Sequence, residues 1–212
     1  MDTHQDVRIL ELEAALARKD ALLREVDHRV KNNLQLISSL MLLQSRRMED
    51  EVAREALKTM LERVGAVATV HRRLFQGEDS HTFEVAGFIR DMAGDLALAA
   101  GRDDVRITLD LCPLTIPASM AAPFALVLNE LLTNALRHAF PGEGGVIAVT
   151  LAKTDSAGLL TVADDGCGMG EAQQAFGLTI VNLLCRQLRS ELEIAPGPPG
   201  VRTMVRMPLS KA

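Results

Sequence analysis

The sequence predicts two folded parts in series: an all-α helical hairpin that dimerises into a four-helix bundle, then an α+β two-layer sandwich. Three observations predict it. Residues 5–47 contain neither Gly nor Pro, and their apolar residues recur in steps of mostly three, four and seven, the period of one long amphipathic helix. Past residue 82 the period changes, and alternating stretches such as Val105–Leu111 (VRITLDL) are interleaved with helical ones. The charge changes at the same place: residues 1–75 hold 13 Lys/Arg and 12 Asp/Glu, and the remainder holds 10 and 16.

The first helix presents Leu16, Leu23, Val26, Val30, Leu34, Ile37 and Met41 on one stripe. A charged turn at Glu49, Asp50 and Glu51 precedes a second helix, reaching about Phe75, with Val52, Ala56, Met60, Val64, Val67, Val70 and Leu74 aligned. Two helices shield two apolar stripes poorly, and a second copy completes the bundle. This dimerisation part spans residues 1–76. The polar stretch Gln76–Thr82 (QGEDSHT) reads as a linker, and the second domain runs over 83–212. Within it, helices are expected at 84–100, 118–139 and 177–189. Strands are expected at 105–111, about 145–152, 158–164, 191–195 and 202–208. Segregated helices with mostly hairpin-linked strands make an α+β sandwich.

Composition narrows the function. There is no Trp or Tyr, and the net charge is -5, which argues against a base-stacking platform and a basic nucleic-acid surface. Cys112, Cys167 and Cys185 form no CxxC pair, so no zinc site or disulfide framework is indicated. No apolar run approaches the roughly 18 residues of a membrane span, and the acidic, amphipathic N-terminus is unlike a signal peptide. The expectation is a cytoplasmic protein with no membrane partner and no nucleic-acid partner.

Two constellations carry chemistry. His28 lies two residues from both Val26 and Val30, about 200° round the helix from the apolar stripe, and should face solvent. Arg24, Glu25, Lys31 and Asn32 share its face. An exposed imidazole can act as a nucleophile; cations one turn away can neutralise a phosphoryl group on it, and Asn32 can orient that group or a water. Glu25 or Asp27 can accept the imidazole proton. His4, His71 and His81 have no comparable company.

The second constellation begins in helix 118–139, where Glu130, Asn134 and His138 are spaced by four inside an apolar helix. Burying an acid and an amide costs free energy unless they are satisfied or do chemistry. About thirty residues on, Asp164-Asp165-Gly166-Cys167-Gly168 leaves a strand and enters a turn. Gly166 and Gly168 permit close backbone approach to a ligand, and the Asp164 carboxylate can accept a hydrogen bond from an exocyclic amine.

Asn129–Phe140 (NELLTNALRHAF) resembles the N box of the GHKL ATPase superfamily, which includes histidine kinases and gyrase, and Asp164–Gly168 resembles its G1 box. His28–Gln35 (HRVKNNLQ) is similar to the phosphoacceptor box of the histidine kinases marked by His-Arg-x-x-Asn. The resemblance covers roughly residues 20–208 and implies a sandwich of GHKL (Bergerat) type. It implies that His28 is the phosphoacceptor on a dimeric hairpin, that Asn134 ligates Mg²⁺ and that Asp164 binds the adenine amine of ATP. Gly166 and Gly168 would shape the adenine wall and the start of the ATP lid. Glu130 matches the general base of ATP-hydrolysing members, Arg137 and His138 would lie near the phosphates, and Gly177 falls in the second glycine box. Asn32, with His28, belongs to the catalytic set.

The sequence departs from the pattern in the lid. Only Met169–Phe176 separate the two glycine boxes, with no Lys or Arg between Gly168 and Gly177; the second box reads Ala175-Phe176-Gly177-Leu178. A usual Gly-Gly-Thr is reduced to Pro199-Gly200-Val201-Arg202-Thr203. About twenty residues precede the phosphoacceptor box, so the expected input is a separate sensor protein. The leading expectation is an ATP-dependent histidine kinase that donates from His28 to an Asp of a response regulator receiver. The alternative is a histidine phosphotransferase relaying phosphate between receivers with a degenerate ATP site. The third is a non-catalytic GHKL binding module. Any adenine would rest on aliphatic walls, with Phe176 the one ring near it. The receiver is expected to dock on helix 1 from His28 toward Ser38.

Overall fold

A computed structural model describes residues 3–76, 81–168, 177–197 and 199–209. The chain divides into two compact units, residues 1–75 and 76–212. The shortened lid, Met169–Phe176, lies outside the described residues, as does the centre of the stretch read as a linker.

The first unit is two helices, α1 (Thr3–Ser45) and α2 (Glu51–Gln76). At 1.5 Å per residue they are about 64 and 39 Å long. Residues 46–50 join them. The backbone N–H groups of Val52 and Ala53 both donate to Asp50 Oδ1, at 2.8 and 3.4 Å, so Asp50 caps α2 and satisfies donors that a helix start leaves open. On α1, Val30, Leu34 and Met41 are half-buried, whereas Leu16, Leu23, Val26 and Ile37 are exposed. The α2 stripe runs from an exposed Val52 to a buried Val70. Among the described residues, no helix is long and apolar enough to cross a membrane.

The second unit is a two-layer sandwich. A five-stranded sheet has the order β2-β4-β5-β7-β6, built from β2 (Val105–Leu111), β4 (Gly145–Lys153), β5 (Ala157–Asp164), β6 (Glu191–Pro196) and β7 (Val201–Pro208). Alternate residues of the three central strands, such as Ile147, Val149, Leu160, Val162, Val205 and Met207, are buried, so one face of the sheet meets the core. The helices are α3 (Val85–Ala100), α4 (Ala118–His138) and α5 (Gly177–Gln187). Phe88 of α3 and Phe124 of α4 are fully buried with ring centroids 6.4 Å apart, and Phe83 stands edge-on to Phe88.

The strands differ from the hairpin-linked expectation at one edge. The β4-β5 and β6-β7 pairs are antiparallel neighbours in sequence, but β2 pairs with β4 in parallel. A parallel pair needs a crossover, and α4 lies in the connecting chain. A second, two-stranded sheet joins β1 (Thr82–Glu84) to β3 (Thr115–Pro117). Thr82, read as the last linker residue, therefore starts a strand.

Candidate functional site

The site forms where α4, the end of β5 and the start of β7 converge. Helix α4 is packed so that Asn129, Glu130 and Thr133 are buried and Asn134 and Arg137 are half-buried, while His138 is exposed. Asn134 and His138 line a cleft of about 650 Å³, solvent-filled mouth included, together with Leu131, Ala135, Val162, Asp164, Gly168, Leu178, Ile194, Val201 and Thr203. Glu130, Arg137 and Gly166 are not among the described residues of its wall. Among the described lining residues the apolar ones are all aliphatic.

Asp164 ends β5. Its Oδ1 accepts hydrogen bonds from the backbone N–H of Gly166 at 3.1 Å and of Val201 at 3.3 Å. Its Oδ2 has no partner among the described residues. One oxygen is thus fixed to the fold and the other is available to a donor in the cleft. Burial pushes the Asp164 carboxyl above the usual carboxylate range, against the lowering effect of the two N–H donors. Asp165 is structural: its Oδ1 accepts from Val146 N–H at 2.7 Å and ties the turn to β4.

Backbone proximity explains two glycines. A Cβ on Gly166 would run into the carbonyl of Ala139, at the end of α4, where the next residue's N–H donates to that same oxygen (Cys167 N, 2.9 Å). A Cβ on Gly200 would run into the carbonyl of Asp164, and Gly200 also has φ +97°, a conformation that favours glycine. Arg102 braces the far side by donating two hydrogen bonds, both 3.1 Å, to the carbonyl of Phe140.

Of the residues the sequence singled out, the fold brings Asn134, His138, Asp164 and Gly168 into one cleft. Gly166 packs behind it, Gly177 opens α5, and Glu130 lies inside the helix layer. Sequence reasoning did not find Val201 and Thr203 as part of this wall, nor Gly200 as the close approach beside them. The signal was the glycine between Pro199 and Val201, recorded only as a reduced box. His28 and Asn32 belong to the other unit. His28, Lys31 and Asn32 are exposed on α1, and Arg29 donates to Glu25 Oε1 through Nη2 at 2.6 Å and Nε at 3.1 Å.

Two family models match the chain: "Histidine kinase" over residues 25–100 and "Histidine kinase-, DNA gyrase B-, and HSP90-like ATPase" over residues 121–211. The chain is 35% identical over 208 residues to the sensor histidine kinase PdtaS of Mycolicibacterium smegmatis, covering 93% of this chain and 41% of that protein. It is 28% identical to blue-light-activated histidine kinase 2 of Erythrobacter litoralis, over 91% of this chain and 58% of the relative. The chain therefore spans about two fifths to three fifths of these relatives' length. Among solved structures, the histidine kinase domain of an Erythrobacter litoralis blue-light-activated kinase superposes with a TM-score of 0.66 at 26% identity, covering 92% of this chain and 94% of that one.

Proposed function

We propose that this chain, which belongs to the histidine kinases by both of its matched domains, binds ATP in the α4/β5/β7 cleft, phosphorylates His28 and passes the phosphoryl group to an Asp of a response regulator receiver. The observation that carries the reading is the divided Asp164 carboxylate, one oxygen held by two backbone N–H groups and the other open to an amine donor. The aliphatic walls suit an adenine ring, and Asn134 offers an amide oxygen of the hard type that Mg²⁺ prefers. Mg²⁺, when bound, would neutralise phosphate charge. Arg137 and His138, in the last turn of α4, are the basic side chains nearest that amide in sequence. Glu130 is the candidate base of the set, and Gly168 gives the backbone room at the lid's start. A lone pair of the His28 ring forms the new N–P bond as the bond from the γ-phosphorus to ADP breaks. Such transfer depends on positioning and charge more than on a strong base, and Asn32, one turn on, is suited to orient the group.

A homodimer through the hairpin belongs to this reading, and the exposed apolar side chains of α1, which a second copy would cover, favour it. On this reading the chain works in the cytoplasm, where ATP is available. The receiver is the acceptor this chemistry requires, and the α1 surface from His28 to Ser38 is the proposed dock. One observation favours the relay reading instead: no Lys or Arg lies between Gly168 and Gly177 to meet the phosphates. Labelled ATP with Mg²⁺ separates the two. The kinase reading expects label on the wild type and none on His28→Ala or Asn134→Ala. An unlabelled wild type whose His28 accepts phosphate from a phosphorylated receiver would replace it with the relay.

A further inference from the structure

The phosphoacceptor box offers two cations beside His28, Arg29 and Lys31, and the helix gives them different work. In an α-helix each side chain leans toward the N-terminus and covers the turn before its own Cα. A residue three positions after His28 therefore leans over the imidazole, while one three positions before leans away. Residues one apart are 100° apart round the helix and do not face each other. Arg29 follows this rule: it reaches back four residues and closes a pair with Glu25 at 2.6 Å. Lys31 shares the His28 face and is exposed.

We propose that Lys31 supplies the positive charge to the phosphoryl group on His28, and that Arg29 serves Glu25, keeping that carboxylate's charge neutralised beside the acceptor. This rests on the reading of His28 as phosphoacceptor and assigns the charge partner within that site. The dianion on the ring nitrogen is a compact target for an ammonium on a four-carbon stem. Arg29 could serve the phosphoryl group only by turning from Glu25 and leaving a bare carboxylate on the same helix face. Lys31 thus lowers the cost of placing a dianion on α1 and restrains its departure until an acceptor carboxylate arrives.

The test does not depend on ATP. Phosphoramidate phosphorylates the imidazole directly: the P–N bond to ammonia breaks, ammonia leaves, and the N–P bond to His28 forms. Phosphorus NMR of the full chain then follows the titration of the phosphoryl group, with the His28 resonance assigned by its loss in His28→Ala. Lys31→Gln is expected to raise that group's apparent pKa by about half a unit, the size of one charge at about 6 Å in water. Lys31→Arg should restore most of the shift. The pair variant Glu25→Gln/Arg29→Gln removes equal and opposite charges and should leave the value in place. An unshifted Lys31→Gln, or a pair variant that moves as far as Lys31→Gln, overturns the assignment. With ATP as donor, Lys31→Gln should slow labelling about threefold, the same charge effect read as a rate, while nucleotide affinity stays the same. If ATP labels nothing, the kinase reading fails, and the NMR titration still decides Lys31.

Discussion

The two units hold their apolar residues in opposite ways. In the sandwich, Phe88, Phe124, Leu128, Ile147 and Leu160 have essentially no solvent contact. In the hairpin unit, Leu16 is 58% exposed, Val26 51% and Leu40 54%. The sandwich buries a core of its own within one chain. A helix that leaves Leu and Val in water is stabilised only when something covers them, because packing of an apolar face supplies most helical stability in proteins. The difference teaches that the sandwich draws its stability from a core within the chain, whereas the hairpin leaves apolar surface that an assembly would have to cover.

Four changes would break or sharpen that contrast. The largest effect is expected from Leu128→Ala, which deletes a fully buried side chain of α4 and should cost about 2–5 kcal/mol. Denaturant unfolding should show the loss in the sandwich transition at any protein concentration. Next, Ile37→Asp puts a charge on the hairpin stripe and should shift sedimentation from dimer to monomer. The hairpin midpoint of the wild type should rise with concentration, as for any assembly-stabilised unit, and the sandwich midpoint should not. A concentration-independent hairpin would end the contrast.

The third change acts in the cleft. Asp164→Asn retains the oxygen that accepts from Gly166 and Val201 and replaces the other with an NH₂ that faces the adenine amine as a second donor. Nucleotide affinity measured by calorimetry should fall about 10- to 100-fold, the worth of a hydrogen bond to a charged group. Stability should move the other way. The folded Asp164 carboxyl is held above its unfolded value, so the folded state binds the proton more tightly. The cost of ionising it is absent below the unfolded pKa and grows as pH rises through the folded one. Asn removes that cost, so the unliganded variant should melt at or above the wild-type temperature at neutral pH, with no difference in acid. The smallest effect belongs to Asp50→Ala, which removes the cap of α2 and should cost about 1 kcal/mol, read as a lower hairpin midpoint.

Much of this molecule was legible in its sequence because the elements are long enough to show a period. The seven-residue alternation of Val105–Leu111 is β2, and the Gly- and Pro-free run is α1. The β1-β3 pair was not legible, because three residues carry no period. The parallel register of Val105 with Gly145 was not legible either, since alternation reports which face is buried and not which strand lies alongside. In the site, α4 announced itself by polar residues spaced by four in an apolar helix. The approach of Val201 to Asp164 joins residues 37 positions apart, and local pattern holds no record of that distance.

That approach limits how the choice of ligand in the cleft can evolve. Position 164 must present an acceptor to two N–H groups that belong to the joint between β5 and β7, whatever the cleft holds. Asp and Asn carry such an oxygen at that reach and Ser or Thr only a shorter, weaker one, so most substitutions at 164 would open the joint as well. A change in what the cleft accepts would have to keep this residue and rewrite its neighbours across the cleft, at Leu131, Ile194 or Thr203.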